Sequence, residues 1–195
     1  MFFILVAISL QITWVQNTVV NTVTGILNNN SDFHTEIGKI RLTWWDALEL
    51  DDVIIRDHRD SLMIGAKKIN ADFELLSLLP PGITTINAVR MEHAKLHLLT
   101  HDGDSAMNIN IWVDELSNMF STSSNSTKPT QFKINTVELR NSEIFIVNEI
   151  TDAITKGLDY NRLRFSDITL NASDFYLEGP EIGADITMLT GTELT

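Results

Sequence analysis

The chain of 195 residues contains no cysteine, which excludes disulfide scaffolds, thiolate metal sites and cysteine nucleophiles. Basic residues are also scarce, because 14 Lys and Arg stand against 26 Asp and Glu and the formal net charge is −12. Nucleic-acid binding needs clustered Lys and Arg, so the composition argues against a nucleic-acid partner. The chain has no nucleophile elbow, P-loop or dinucleotide fingerprint either. We therefore expect neither an enzyme nor a cofactor.

Charged side chains are missing altogether from residues 1–30, "MFFILVAISLQITWVQNTVVNTVTGILNNN". The apolar start is shorter than the ~20 residues that cross a bilayer, but apolar residues continue at helical spacing towards the Asn28–Asn30 run. We predict one membrane-anchoring helix over residues 1–30. A cleaved signal peptide and a buried helix remain the alternatives, although no basic flank or cleavage site is visible. The predicted membrane-anchor residues are Phe2, Phe3, Ile4, Leu5, Val6, Ile8, Leu10, Ile12 and Trp14.

The body of the chain, residues 31–195, is predicted to be mainly β because three stretches repeat one apolar spacing. Steps of two residues place apolar side chains on one face of a strand. A step of three in the middle reverses the face, which needs either a two-residue hairpin or a bulged bend at Glu92–His93, Arg140–Asn141 and Asn171–Ala172. The pattern leaves both open. The repeated positions are Ile86, Val89, Met91, Ala94, Leu96 and Leu98; Ile134, Val137, Leu139, Ser142, Ile144 and Ile146; and Phe165, Ile168, Leu170, Ser173, Phe175 and Leu177.

One segment between the first two copies has helical periodicity instead. "NINIWVDELSNMF", residues 108–120, has apolar residues on one side and Asp114, Glu115 and Asn118 on the other. We predict a short amphipathic helix packed over one edge or end of the sheet. The polar stretch "STSSNSTKPT", residues 121–130, is predicted to be a loop within the β domain. "LSLLPPG", residues 76–82, is predicted to break the strands.

The histidines of "HAKLHLLTH" are four residues apart, a spacing that brings two imidazoles onto one helix face where they can share a metal. On a strand the same spacing separates them by roughly 13 Å. We favour the strand, with solvent-facing histidines at 93, 97 and 101 and no metal. The acids Asp51, Asp52, Asp57 and Asp60 are expected on the solvated face and in a turn. "HDGDS" is interpreted as hairpin-turn chemistry at Asp102–Gly103.

The order of these segments resembles a known family. The N-terminal run into "WVQNTVVNTVTGIL" precedes "TEIGKIRLTWWDALELDDVIIRDHRDSLMIGAKKINADFELLSLL", followed by "INAVRMEHAKLHLLTHDGDSAMNINIWVDEL", "FKINTVELRNSEIFIV" and "LRFSDITLNASDFYLEGPEIGADI". This order is similar to the N-terminal region of the AsmA/TamB superfamily, most closely the TamB-type translocation and assembly module proteins of Bacteroidetes-like bacteria. The likeness covers essentially the whole chain and rests on spacing patterns.

The resemblance implies an elongated, curled antiparallel sheet that forms a trough. It also implies a single N-terminal anchor in the bacterial inner membrane, a periplasmic body and transport of phospholipid to the outer membrane. An outer-membrane barrel protein is an implied partner. Because family members are much longer, we expect this chain to be an N-terminal fragment. Residues upstream of Met1 are also expected, because the family places a basic flank before its membrane span.

A lipid carrier needs only an apolar lining, since each methylene that leaves water contributes about 0.8 kcal/mol. One apolar sheet face through every repeat supplies such a lining. A scaffold for outer-membrane protein assembly and a plain anchored β-sandwich are the alternatives. The predicted lipid-groove lining is Val89, Met91, Leu96, Leu98, Val137, Leu139, Ile144, Ile146, Ile168, Leu170, Phe175 and Leu177.

Overall fold

The structure is a computed structural model that describes residues 13–43, 47–72, 84–120, 131–154, 157, 159–178 and 181–194. These residues form a mainly β fold with long strands and few helices. The elements in chain order are α1 (Thr13–Asn30), β1 (His34–Thr43), β2 (Ala47–Arg56), β3 (Leu62–Asp72), β4 (Thr84–Glu92), β5 (Lys95–Thr100), α2 (Asn108–Phe120), β6 (Gln131–Asn148), β7 (Arg162–Glu178) and β8 (Glu181–Glu193).

Helix α1 ends at Asn30, within the asparagine run where the sequence predicts its end. The Asn30 side chain donates to the carbonyl of Ile26 at 2.8 Å and caps the last turn. Asn28 pairs with the free edge of β1, because its amide accepts from the Thr35 N–H at 2.7 Å and donates to the Thr35 carbonyl at 3.0 Å. Of the predicted anchor, Phe2 to Ile12 lie outside the described residues. None of the described helices has the length and apolarity to span a membrane.

The eight strands of the described residues all belong to one hydrogen-bonded sheet. The order is β1-β2-β3-β4-β6-β7-β8, and β5 continues the line of β4 between β3 and β6. Pairing is antiparallel except that β4 and β5 both run parallel to β6. The prediction of a wholly antiparallel sheet is therefore wrong, and the sheet is mixed. The cause is α2, because parallel neighbours need a crossover connection and the chain returns from β5 to β6 through this helix.

The parallel pairing places two copies of the sequence repeat side by side and in register. Ile86 pairs with Ile134, Met91 with Leu139, and Leu96 with Ile144. The third copy, in β7, runs antiparallel to the second, and its central Leu170 again pairs with Leu139. Equivalent apolar positions of the repeat are therefore paired across both the parallel and the antiparallel strand contacts. This pairing keeps the apolar side chains together on one face of the sheet.

The predicted bends at His93 and Asn141 are confirmed, and both are bulged bends rather than hairpins. Their backbones are left-handed, with φ of 51° and 47°. The chain keeps its direction past each bend, because β6 is one strand through Asn141 and β4 and β5 both run parallel to it. The bends are adjacent because the His93 N–H donates to the Arg140 carbonyl at 3.0 Å. With Asp52 (φ 51°) in β2 and Asp167 (φ 52°) in β7, they form a line of left-handed residues that we call the crease.

The third predicted irregularity, at Asn171–Ala172, is present only on the β8 side of β7, where the register with β8 shifts between these two residues. On the other side both residues keep their pairing with β6, and the left-handed backbone of β7 lies at Asp167 and Asp174. Asp tolerates this conformation better than a residue such as Ala, whose side chain makes no local hydrogen bond. As a result Ala172, and not Ser173, is buried.

Replacement of the exposed Asn141 by Val is expected to lower the free energy of unfolding by about 1–3 kcal/mol, because a β-branched residue is strained at positive φ. Asn141→Gly is the matched control, with an expected change below about 0.5 kcal/mol because Gly adopts this backbone freely. Urea unfolding of the three proteins measures both values. Equal losses for Val and Gly would show that the amide side chain, rather than the bend, is what stabilises this position.

The hydrophobic core forms between the sheet and α2. Phe33, Met63 and Ala94 are almost completely buried within it. Ile109 and Trp112 of α2 pack against the same cluster, which confirms the predicted amphipathic helix and its apolar side. Ser31 donates to Glu115 of α2 at 2.5 Å, which fixes the helix to the junction between α1 and β1.

Candidate functional site

Rows of apolar side chains cross one face of the sheet at right angles to the strands. Residues paired across neighbouring strands point to the same face, so the register defines each row. The first row is Ile40, Leu50, Ile69, Met91, Leu139, Leu170 and Leu189. The second row is Leu48, Ala71, Val89, Val137, Ala172 and Ile186. Every strand on the main path of the sheet contributes an apolar residue to the first row, and every strand from β2 to β8 on this path contributes one to the second.

The side chains of both rows are largely buried in the middle of the sheet and exposed at β8. In the first row Leu139 is 1% exposed, whereas Leu189 is 56% exposed. The second row ends in the same way, at Ile186, which is 58% exposed. The edge strand β8 therefore continues the apolar face but has little packed over it.

The predicted lining residues fall into two groups by burial. Val89, Leu139 and Ile168 are buried by the protein's own packing. A half-buried group retains some exposure, and the side chain of Leu177 lies outside the described residues. The half-buried group is Met91, Leu96, Leu98, Val137, Ile144, Ile146, Leu170 and Phe175. Contact with a guest molecule is open to this second group, and their role as lining stays a prediction.

The opposite face of the sheet carries ion pairs between neighbouring strands. Arg41 contacts both Glu49 and Asp51, and Lys68 lies 2.8 Å from Glu49. The hydrogen bond from Lys68 is the largest influence on Glu49, and with Arg41 it lowers the pKa of that carboxyl against the opposing effect of burial. Arg90 pairs in the same way with Asp72 at 2.8 Å. The two faces thus differ sharply in polarity.

A second feature is a group of polar side chains at the end of the sheet where the β2–β3 turn (57–61), the β5–α2 connection (101–107) and the β6–β7 connection (149–161) meet. We call it the polar cluster, and it comprises Asp57, His58, His101, Asp104, Asn108 and Glu149. The carboxylate of Asp57 is at its centre. One oxygen accepts from Asn108 at 3.0 Å and lies 2.8 Å from His101 Nε2. The other accepts the N–H groups of Arg59 and Ser61 at 3.0 and 2.9 Å.

The expectation that Asp57 is solvated is wrong, because its side chain is fully buried. Asp57 follows Val53 and Ile55 at the two-residue spacing of one strand face, and both of those residues belong to the core. Its side chain therefore points inward as theirs do. The same expectation is confirmed for Asp52 and Asp60, which are exposed. Burial opposes ionisation of Asp57, but its hydrogen bonds from Asn108, His101 and two backbone N–H groups outweigh that effect and lower its pKa.

Of the three histidines, His93 lies in the bend between β4 and β5, His97 on β5 and His101 in the turn after it, and one of the three is exposed. His93 is exposed at the crease, and His97 stacks on Phe145 with ring centroids 4.5 Å apart. His101 is buried, so the solvent-facing prediction is wrong for this residue. Within the described ranges, no set of three His, Asp or Glu side chains is arranged to hold a metal ion.

The turn predicted at Asp102–Gly103 is confirmed, although it leads from β5 into α2 and does not close a hairpin. The Asp104 N–H donates to the His101 carbonyl at 3.0 Å across it, and Gly103 has a φ of 86°. That left-handed backbone favours glycine.

Comparison with family models, with curated proteins and with solved structures gives no match to this chain.

Proposed function

We propose that this chain is the lipid-carrying part of an AsmA/TamB-type protein, held at the bacterial inner membrane by residues 1–30 and extending into the periplasm. Phospholipid acyl chains would travel along the apolar face towards the outer membrane. The observation that carries the proposal is the pair of apolar rows, unbroken across the sheet and exposed where they reach β8 at Leu189 and Ile186.

The physical argument concerns what an acyl chain gains and what the sheet provides. Each methylene that leaves water gains about 0.8 kcal/mol, and no hydrogen bond or metal is required. Neighbouring strands are about 4.8 Å apart, so an acyl chain that lies along a row meets an apolar side chain at each strand it crosses. At β8 the exposed Leu189 stands beside the half-buried Leu170 of the same row. A hydrocarbon guest can therefore lie across the β7–β8 region without displacing the packed core.

The test uses phospholipid that co-purifies with the full chain, quantified by mass spectrometry after extraction. Leu189→Asp is expected to lower the bound phospholipid about tenfold, because a charge beside an acyl chain must be desolvated. Met188→Asp is the matched control. Met188 is the adjacent residue of β8, pairs with the polar Asn171 on the opposite face, and is also exposed. We expect no loss of lipid from this control.

Both substitutions are at exposed positions, so the fold should survive, and circular dichroism checks this directly. Equal lipid in wild type and the Leu189→Asp variant would contradict the proposal. So would a wild-type protein that carries no phospholipid, or a Met188→Asp variant that loses as much as Leu189→Asp.

A second candidate is a scaffold for assembly of outer-membrane proteins with a barrel partner. The observation that favours it is the position of β8 at the end of the sheet order, where an edge strand can accept another strand by backbone hydrogen bonds. Leu189→Asp leaves those backbone groups in place, so assembly would survive a variant that loses lipid. A plain sandwich is not favoured, because the described strands form one sheet rather than two.

A further inference from the structure

His101 is held between two carboxylates that come from different connections at the end of the sheet. Its Nε2 is 2.8 Å from Asp57 Oδ2 in the β2–β3 turn. Its Nδ1 is 3.0 Å from Glu149 Oε2 at the start of the β6–β7 connection. The imidazole therefore joins three segments of the polar cluster. Asp57 and Glu149 lie 44 and 48 residues from it in the chain.

Both contacts are hydrogen bonds only when His101 is protonated. An ionised carboxylate has no proton to donate, whereas a neutral imidazole has one N–H and one lone pair. Loss of the proton leaves one ring nitrogen with its lone pair facing a carboxylate oxygen at hydrogen-bond distance. One of the two contacts must then break.

The structure determines which contact is the weaker. Asp57 is completely buried and keeps three further donors, from Asn108, Arg59 and Ser61. The Glu149 side chain is 46% exposed. A neutral His101 therefore keeps its N–H towards Asp57, and the Glu149 carboxylate turns to solvent because its desolvation is the easier to reverse.

The other ionisable groups near His101 form their polar contacts with one another rather than with the His101 ring. The ring of His58 meets that of His101 edge to face at 5.8 Å. His58 Nε2 contacts Asp104 at 2.8 Å, and Arg59 donates to the second oxygen of the same carboxylate at 3.0 Å. Asp104 is thus paired within its own set, and Asp57 and Glu149 are the carboxylates in contact with the His101 ring.

We propose that Asp57, His101 and Glu149 form a proton-operated latch. In the protonated state the latch ties the start of the β6–β7 connection to the body of the sheet, and it opens on the Glu149 side when His101 loses its proton. The connection that it controls exposes Ile150, Ile154 and Tyr160 to solvent. The latch is independent of what the apolar face carries.

The direction of the pH dependence follows from both partners. Burial opposes the charge on His101, but hydrogen bonds with Asp57 and Glu149 outweigh it and raise the pKa of His101. The stabilisation that charged His101 provides is thus fully present below the ordinary pKa of histidine. It is lost as pH rises through the raised pKa of His101. The pKa of Asp57 is lowered, so its contribution is lost as pH falls through that lowered pKa. The latch is therefore closed between the lowered pKa of Asp57 and the raised pKa of His101, and it opens as pH rises through the pKa of His101.

The test follows His101 by NMR titration of its imidazole in the full chain, together with hydrogen exchange of the Glu149 and Ile150 amides. The Glu149 N–H donates to the Thr100 carbonyl at 2.8 Å, and the Ile150 N–H donates to Asn148 at 3.0 Å. When the latch opens we expect the protection of these two amides to fall about tenfold beyond the intrinsic pH effect, the scale of one lost charge-assisted hydrogen bond.

Glu149→Gln removes the charge and keeps an oxygen that accepts from His101. It is expected to lower the pH at which His101 titrates and to bring the loss of protection to the same lower pH. Glu143→Gln is the matched control, because Glu143 lies on β6 and contacts His97 rather than His101. An unchanged His101 titration in the Glu149→Gln variant would overturn the proposal. Amide protection that stays constant through the His101 titration, or a control that shifts it equally, would also overturn it.

Discussion

Replacement of Asp57 by Ala is expected to lower the free energy of unfolding by about 3–5 kcal/mol, the scale found when one partner of a buried ion pair is removed. The variant leaves His101 without its buried counter-charge. It also leaves the Arg59 and Ser61 N–H groups without their acceptor. Because small domains are stable by only about 5–15 kcal/mol, a loss of this size is a large part of the total. Urea unfolding near pH 6 measures it.

Asp60→Asn is the control from the same turn. Asp60 is also an acid, but it is exposed and lies 3.9 Å from Arg56, near the outer limit of an ion pair. Asp60 has a φ of 60°, and Asn tolerates this left-handed backbone as Asp does, so the substitution removes the charge without adding backbone strain. It should change the free energy of unfolding by less than about 0.5 kcal/mol. If Asp57→Ala costs no more than this control, the polar cluster does not stabilise the fold.

The sequence repeat predicts the strands and two of the bends because each is a local property. Apolar residues two apart define a strand face, and the step of three marks the bends at His93 and Asn141. The direction of pairing is not local. An antiparallel sheet was the simpler interpretation, yet the predicted helix between the first two copies already implies a crossover, and α2 is what makes β6 parallel to β5.

The polar cluster could not be predicted as a unit, because its members come from three connections far apart in the chain. Asp57 sits in "DDVIIRDHRD", which has the composition of a solvated turn. The sequence offers one signal, the two-residue spacing of Val53, Ile55 and Asp57. In a strand this spacing places all three side chains on the same face, and here that face is buried. Nothing in the sequence indicates that His101 and Glu149 meet it there, because the sheet register alone brings them together.

The apolar face raises a different question, namely where packing ends and an accessible lining begins. Leu139 and Leu189 belong to the same row, separated only by Leu170. Leu139 is 1% exposed and Leu189 is 56% exposed. Along this row the face therefore changes from sealed core to open surface over the width of three strands. The same residue type at both ends makes the transition measurable.

Replacement of Leu139 by Ala is expected to lower the free energy of unfolding by about 2–5 kcal/mol, because it leaves a cavity in packed surroundings. Leu189→Ala, the same chemical change at the open end of the row, should cost less than about 0.5 kcal/mol. Urea unfolding of the delipidated proteins gives both values. A small loss at Leu139 would mean that the middle of the face is open to a guest and that the lining extends much further from β8. A large loss at Leu189 would mean that β8 is packed against something, and the carrier hypothesis would then lose its accessible end.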